Sequence, residues 1–250
     1  MRTTLHIDND IYKHYGEGWY TDYDGPVAIL RAESEAKTPW VIEQIRQLKN
    51  KTILDVGCGG GFLTNALGRE GWQVTGVDIS SECLVVASRH DETRSVVYVQ
   101  ASADKLPFRN GQFAVVTAMD FLEHVENPEH VIKEISRVLA PDGTFIFHTI
   151  NRNIFTWLLI IKILPWLVKN TPKKMHLFRL FITPEELSRF CKFAGMRVRS
   201  MVGLRPVFSS IPISNYFTGV VPKNMQFKRI KSLVLSYMGT ACKMDSELTP

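Results

Sequence analysis

Cysteine is scarce in this chain, with four in 250 residues. Cys58, Cys83, Cys191 and Cys242 form no C-x-x-C pair and no framework spacing. That excludes a disulfide-stapled scaffold and the usual zinc patterns, and points to a reducing compartment. No apolar run reaches the roughly 20 residues that span a bilayer. No secretory leader is read in Met1 to Tyr12, which carries Asp8 and Asp10. Internal repeats are absent, as are helix-turn-helix, zinc-finger and aromatic RNA-binding signatures. The net charge of +5 is therefore not assigned to nucleic acid; it suits a solvated face or an anionic membrane surface.

Against these absences stands one glycine-rich stretch, Lys51 to Leu63. The apolar residues Ile53, Leu54 and Val56 run into Gly57, Gly59, Gly60 and Gly61, and a helical pattern starts near Phe62. Strand, glycine turn and helix form the first unit of a nucleotide-binding α/β sheet. Glycines there supply backbone angles a Cβ would forbid and let a ligand approach free amides. The dinucleotide fingerprint wants a further glycine where Phe62 stands. Asp55, two residues before Gly57, can counter the amino end of a zwitterionic ligand. Asp78 closes the next apolar run, about 20 residues on, where a carboxylate can take ribose hydroxyls.

The remaining pattern alternates. Residues 1–48 are expected to form an N-terminal arm and helix, with 1–32 lacking regular structure and serving either as a packed extension or as a lid over the pocket. A helix is predicted over Glu33 to Leu48, with Trp40, Val41 and Ile45 on its apolar face. Strands are predicted at 96–99, 113–118, 144–149, 196–202 and 232–241, with helices after Ser80 or Ser81, after Asn127-Pro128 and after Thr183-Pro184. This rhythm predicts a single α/β domain over 1–250, with seven strands, mostly parallel, and helices on both faces. Residues 151–182 interrupt it as an apolar insertion. Within it, 154–168 is the most apolar run in the chain, broken by Lys162 and Pro165. Trp157 and Trp166 suit a headgroup boundary, and Lys162, Lys169, Lys173 and Lys174 suit anionic lipid. A buried core helix is the alternative.

Met119 to Val125 carries a cluster of acids and a histidine. If locally helical, Asp120, Glu123 and His124 share one face and could hold a divalent cation. Without a metal, His124 faces the sheet or the substrate.

Taken together, Leu54–Gly61, Val74–Asp78, Leu122–Val125 and Thr149–Asn153 resemble the ubiquinone-biosynthesis O-methyltransferases. His176, Phe181 to Leu187 and Leu235 to Met238 are similar as well. The resemblance implies a Rossmann-like class I methyltransferase that uses S-adenosylmethionine on a catechol hydroxyl of a polyprenylated ring. It implies that Gly57 and Asp78 contact the cofactor, with Met119 beside it and Lys37 where the family has arginine. With Asp55, Gly59, Gly61 and Ala103 these make the expected cofactor set. It also implies a Mg²⁺ site at Asp120, Glu123 and His124, with Asp120 replacing the family's glutamate. His148 and His176 are then the free proton acceptors; without a metal, His124 takes that role. The expected setting is cytoplasmic, peripheral to the inner membrane, with a quinone-biosynthesis enzyme complex as a partner. Two alternatives stay open: O- or C-methylation of another small molecule, and a catalytically dead membrane-associated assembly protein.

Overall fold

The computed structural model describes residues 7–172 and 174–244. Lys173, expected among the lipid-facing lysines, lies outside them.

Eight strands form one sheet: β1 Thr52–Val56, β2 Gln73–Asp78, β3 Val97–Gln100, β4 Phe113–Met119, β5 Leu139–Ile150, β6 Met196–Pro206, β7 Phe227–Ile230 and β8 Ser236–Lys243. Their order is β3-β2-β1-β4-β5-β8-β6-β7. The first five are parallel neighbours, in register Asp55↔Gly76 and Thr117↔Ile146. β8 runs antiparallel between β5 and β6. Central strands of such a sheet are covered on both faces and read as continuous apolar runs; in β4 every residue from Phe113 to Ala118 is buried. The chain reverses strand order beside β1, which opens a crevice at the carboxyl ends of β1 and β4.

Seven strands were expected, and the described residues form eight. The extra one, β7, pairs antiparallel with β6 at the sheet edge. Its sequence, Phe-Lys-Arg-Ile, carries charge on an edge strand, which blunts edge-to-edge pairing and hides the strand from a search for apolar alternation. The N-terminal arm also differs from expectation. It holds a 3₁₀ helix at Asn9–His14 and a short helix at Gly18–Thr21. The following helix spans Pro26–Ile45, earlier than predicted at both ends. Gly25 is extended and Pro26 stands at the first turn, where its missing N–H costs nothing.

Other ends follow the sequence. Ser80 accepts from the Cys83 amide at 3.2 Å and Asn127 from the His130 amide at 3.0 Å, each capping its helix. The core has two layers. Val131, Ile132 and Ile135 of the Pro128–Val138 helix pack on one sheet face. Trp40, Val41, Ile45, Leu63 and Leu67 pack on the other.

The insertion forms a helical segment: a first turn at Ile154–Thr156, a wide π-helical stretch at Trp157–Ile163 and a last turn at Leu164–Leu167. Asn153 and Thr156 cap it reciprocally. No residue from Trp157 to Leu167 is buried, so the core-helix alternative fails. No helix among the described residues is long and apolar enough to cross a membrane.

Candidate active site

The glycine turn is shaped by packing as much as by any ligand. Gly57, Gly59 and Gly61 all have left-handed φ angles, which a Cβ disfavours. A Cβ on Gly61 would stand 2.7 Å from the Ala87 methyl and 3.0 Å from the Tyr98 hydroxyl. Gly61 is therefore a helix–sheet contact and does not line the cavity, a correction to its expected cofactor role. A Cβ on Gly59 would meet the Trp19 ring at 2.8 Å. Trp19 lies over the turn, and the Tyr20 hydroxyl donates to the Gly60 carbonyl at 2.8 Å. The N-terminal arm is thus the roof of the crevice.

Beneath this roof is a cavity of about 270 Å³. Asp55, Gly57, Gly59, Asp78, Met119 and Lys37 all line it, as expected. Ala103 does not: the loop after β3 leaves at the sheet edge, and Ala103 packs against the core. Asp78 accepts from the Gly59 amide at Oδ2 and the Ser80 amide at Oδ1, both at 2.9 Å. Burial raises its carboxyl, and these amides oppose the rise. Each oxygen keeps a second lone pair for a hydroxyl. Asp55 accepts from Thr64 and Thr117 at 2.6 Å each. Burial nevertheless pushes it up to about 6, and a ligand cation beside it would draw it down again.

A second cavity, of about 200 Å³, adjoins the first. Its walls are mainly apolar, among them Ile29, Leu159, Ile160, Leu164, Met225 and Phe227. Leu30, Asp120 and His124 line both cavities and form the shared wall.

Asp120 does not share a helical face with Glu123 and His124. Its φ is +54°, left-handed for a non-glycine residue, and the 3₁₀ turn begins only at Leu122. Such strain persists where the surroundings over-determine it. Asp120 is turned towards Lys37, which donates to Oδ2, and His148, whose Nδ1 lies 2.5 Å from Oδ1. Burial would raise its carboxyl, but Lys37 and His148 outweigh that and hold it well below the usual range. Nε2 of His148 meets the Ser236 hydroxyl at 3.0 Å, so both of its ring nitrogens are engaged. Glu123 accepts from the Thr149 hydroxyl at 2.8 Å. Burial, and then the Asp120 charge, push it up to about 8.

The expected metal triad therefore does not converge. Asp120 is tied to Lys37 and His148, and Glu123 to Thr149. Neither carboxylate is turned with His124 towards a common point, and the three do not form a converging donor group. These residues do not fit a divalent ion in this arrangement.

His124 differs from His148 and His176. Among the described residues, only Trp19 Nε1 and His124 Nδ1 are buried side-chain polar atoms without a hydrogen-bond partner. Both belong to residues lining the first cavity. Such orphans are rare unless a ligand completes them. Burial lowers His124 to about 4, against a smaller opposing pull from Asp120. His176 stands with its ring centroid 5.2 Å from that of His124 and is lowered to about 3, mainly by burial.

Thr149 to Asn153 acts as a clamp. The Asn151 side chain donates to the Leu233 carbonyl at 2.8 Å and that of Asn153 to Val234 at 2.7 Å. Arg152 pairs with Glu186 and donates to the Phe181 carbonyl. The stretch thereby fixes the end of β5 to the segments that close the second cavity. Sequence reading missed Glu33, Thr64, Thr117 and Ser236. Glu33 left a signal, four residues before Lys37 on one helix, and Ser236 lies in the Leu235 to Met238 stretch of the resemblance; Thr64 and Thr117 meet their partners through the tertiary fold alone.

A sheet of this order, a glycine turn after β1 and an acid ending β2 at one cavity define a class I S-adenosylmethionine-dependent methyltransferase. A methyltransferase-domain family model matches residues 54–147. The ubiquinone biosynthesis O-methyltransferase of Aeromonas salmonicida is 35% identical over 88% of this chain and 87% of its own. That of Pseudomonas entomophila is 37% identical over 86% and 94%. Among solved structures, the magnesium protoporphyrin IX methyltransferase of Synechocystis, with bound S-adenosylhomocysteine, superposes with a TM-score of 0.59 at 15% identity, covering 87% of this chain and 81% of that one. The chain belongs to the ubiquinone biosynthesis O-methyltransferase family.

Proposed function

We propose that this chain methylates a catechol hydroxyl of a polyprenylated ring in ubiquinone biosynthesis, with S-adenosylmethionine as donor. The observation that carries the reading is the pair of adjoining cavities, the first bearing Asp55, Asp78 and the glycine turn and the second lined mainly by apolar side chains, with His124 on the wall between them. The names of the curated relatives supply the pathway and the oxygen acceptor.

The first cavity suits the cofactor. Asp78 would hold the ribose hydroxyls, Asp55 would face the amino group, and Gly57 and Gly59 allow close approach. When bound, S-adenosylmethionine supplies a methyl group already activated by its sulfonium. The chain must then orient the acceptor oxygen and take its proton. His124 is the residue placed for this. Burial keeps its imidazole neutral at physiological pH, and Nδ1 is free to accept. His148 is held on both sides, by Asp120 and by Ser236, and is not the acceptor in this reading. Leu30, Leu159, Ile160 and Leu164 would enclose the ring and the start of its tail, excluding water.

The tail needs a way in. The insertion exposes Ile154, Phe155, Leu158 and Trp166, the last 87% exposed. Beside it the Ile213–Thr218 helix exposes Ile213 and Phe217. The two limbs are joined by the Lys169 amide, which donates to the Gly219 carbonyl at 2.9 Å. Apolar patches of this kind mark membrane or partner sites. We assign them to an anionic bilayer surface, with Lys162, Lys169 and Lys174 at its rim. Such docking would let the enzyme take a water-insoluble substrate directly from the bilayer.

The test is mass spectrometry of quinone intermediates in cells lacking this protein. Accumulation of an unmethylated polyprenyl catechol is expected. A normal quinone profile, or accumulation of a precursor lacking a different group, would refute the assignment.

A further inference from the structure

Among the described residues, one group of three metal-type donors converges. It is Glu33, Asp120 and His148, whose ligand atoms all lie within 4.8 Å of one another. Two carboxylates and an imidazole at this spacing are what a hard divalent cation takes. The position is already filled from within the chain. Lys37 Nζ donates to Asp120 and stands 3.4 Å from Glu33 Oε2. Its side chain is 3% exposed.

The arrangement is built from separate parts of the fold. Glu33 and Lys37 are one turn apart on the Pro26–Ile45 helix. Asp120 arrives from the end of β4 through its left-handed turn. His148 lies on β5, held from behind by Ser236. Buried carboxylates are costly unless paired, and here the ammonium pairs with both. A divalent ion entering the same group would meet a fixed positive charge. It would also have to displace an ammonium already paired with both carboxylates. Glu123, bonded to Thr149, and His124, with no partner at Nδ1, stand outside the group.

We propose that Lys37 is the resident cation of this reaction centre, filling the place a divalent metal would take, and that methyl transfer by this chain proceeds without one. Lys37 is a positioning residue. It fixes the charge and direction of Asp120, which in turn orients His148 on the wall of the substrate cavity. The proposal rests on the methyltransferase reading, but its main test does not need turnover.

That test is titration of the full chain with Mn²⁺, followed by the paramagnetic signal of the free ion. Wild type is expected to show no saturable binding. Lys37→Met, which leaves the three donors without their ammonium, is expected to gain one saturable equivalent, lost again when Asp120→Asn is added. Methylation by wild type is expected to persist in excess chelator. Lys37→Arg, which keeps the charge, is expected to take up no Mn²⁺. Stoichiometric Mn²⁺ binding by wild type, or chelator-abolished methylation restored by Mg²⁺, would overturn the proposal. So would a folded Lys37→Met protein that takes up no Mn²⁺. The wild-type measurements stand even if that variant does not fold.

Discussion

His124→Gln, examined at two pH values, probes the acceptor assignment most closely. In the folded chain His124 is lowered to about 4 from an ordinary 6.5. The unfolded chain therefore takes the proton first as pH falls. Stability is lost from about pH 6.5 downward, and the loss is complete below about 4. Two and a half units correspond to roughly 3 kcal/mol in full, of which ~2 kcal/mol has gone by pH 5. His176 shifts the same way, so wild type alone cannot isolate His124. The comparison can: urea unfolding at pH 7 and pH 5 is expected to show wild type losing ~2 kcal/mol more than His124→Gln. The neutral imidazole also predicts that kcat/KM holds down to mildly acid pH. His124→Gln is expected to lower kcat by roughly 10²–10⁴-fold, the usual contribution of a general base. Equal pH dependence of stability in the two proteins would refute the burial argument. An acid limb centred near the ordinary histidine value would refute the role.

Asp78→Ala is expected to weaken S-adenosylmethionine binding by roughly 1.5–3 kcal/mol in calorimetry, the range for hydrogen bonds to a charged group; unchanged affinity removes Asp78 from the site. Gly61→Ala places a Cβ against Ala87 on a left-handed residue and is expected to destabilise the fold by about 1–3 kcal/mol in urea unfolding; a neutral change would show that the turn relaxes. Replacing Trp157, Leu158 and Trp166 by Ser is expected to abolish flotation with anionic liposomes and leave cofactor binding intact. A wild type that stays with the soluble fraction, or a triple variant that unfolds, ends the docking claim.

The part of this molecule legible in sequence is the part governed by local chemistry. β1, its glycine turn and Asp78 are set by short-range pattern, and the Ser80 and Asn127 caps by single side chains. Asp120 shows the limit. Its place on a helical face with Glu123 and His124 followed from spacing, yet one left-handed residue sends it 83 positions back to Lys37. No periodicity encodes that contact. The roof of Trp19 and Tyr20 has the aromatic composition of a lid but no repeat to mark its helices. Ala103 and Gly61 were placed by position in a motif, while packing against the core and against Ala87 decides what they touch. The shared wall of the two cavities depends on Leu30 from the Pro26–Ile45 helix meeting Asp120 and His124 from the loop after β4.

The most direct measurement is a reaction of the purified chain with methyl-labelled S-adenosylmethionine and a catechol bearing a short prenyl tail in detergent micelles. The account predicts label on one ring oxygen, one S-adenosylhomocysteine formed per product, and loss of the reaction in His124→Gln with cofactor binding retained. Label on a ring carbon, or tight cofactor binding with no transfer to any prenylated catechol, would contradict it.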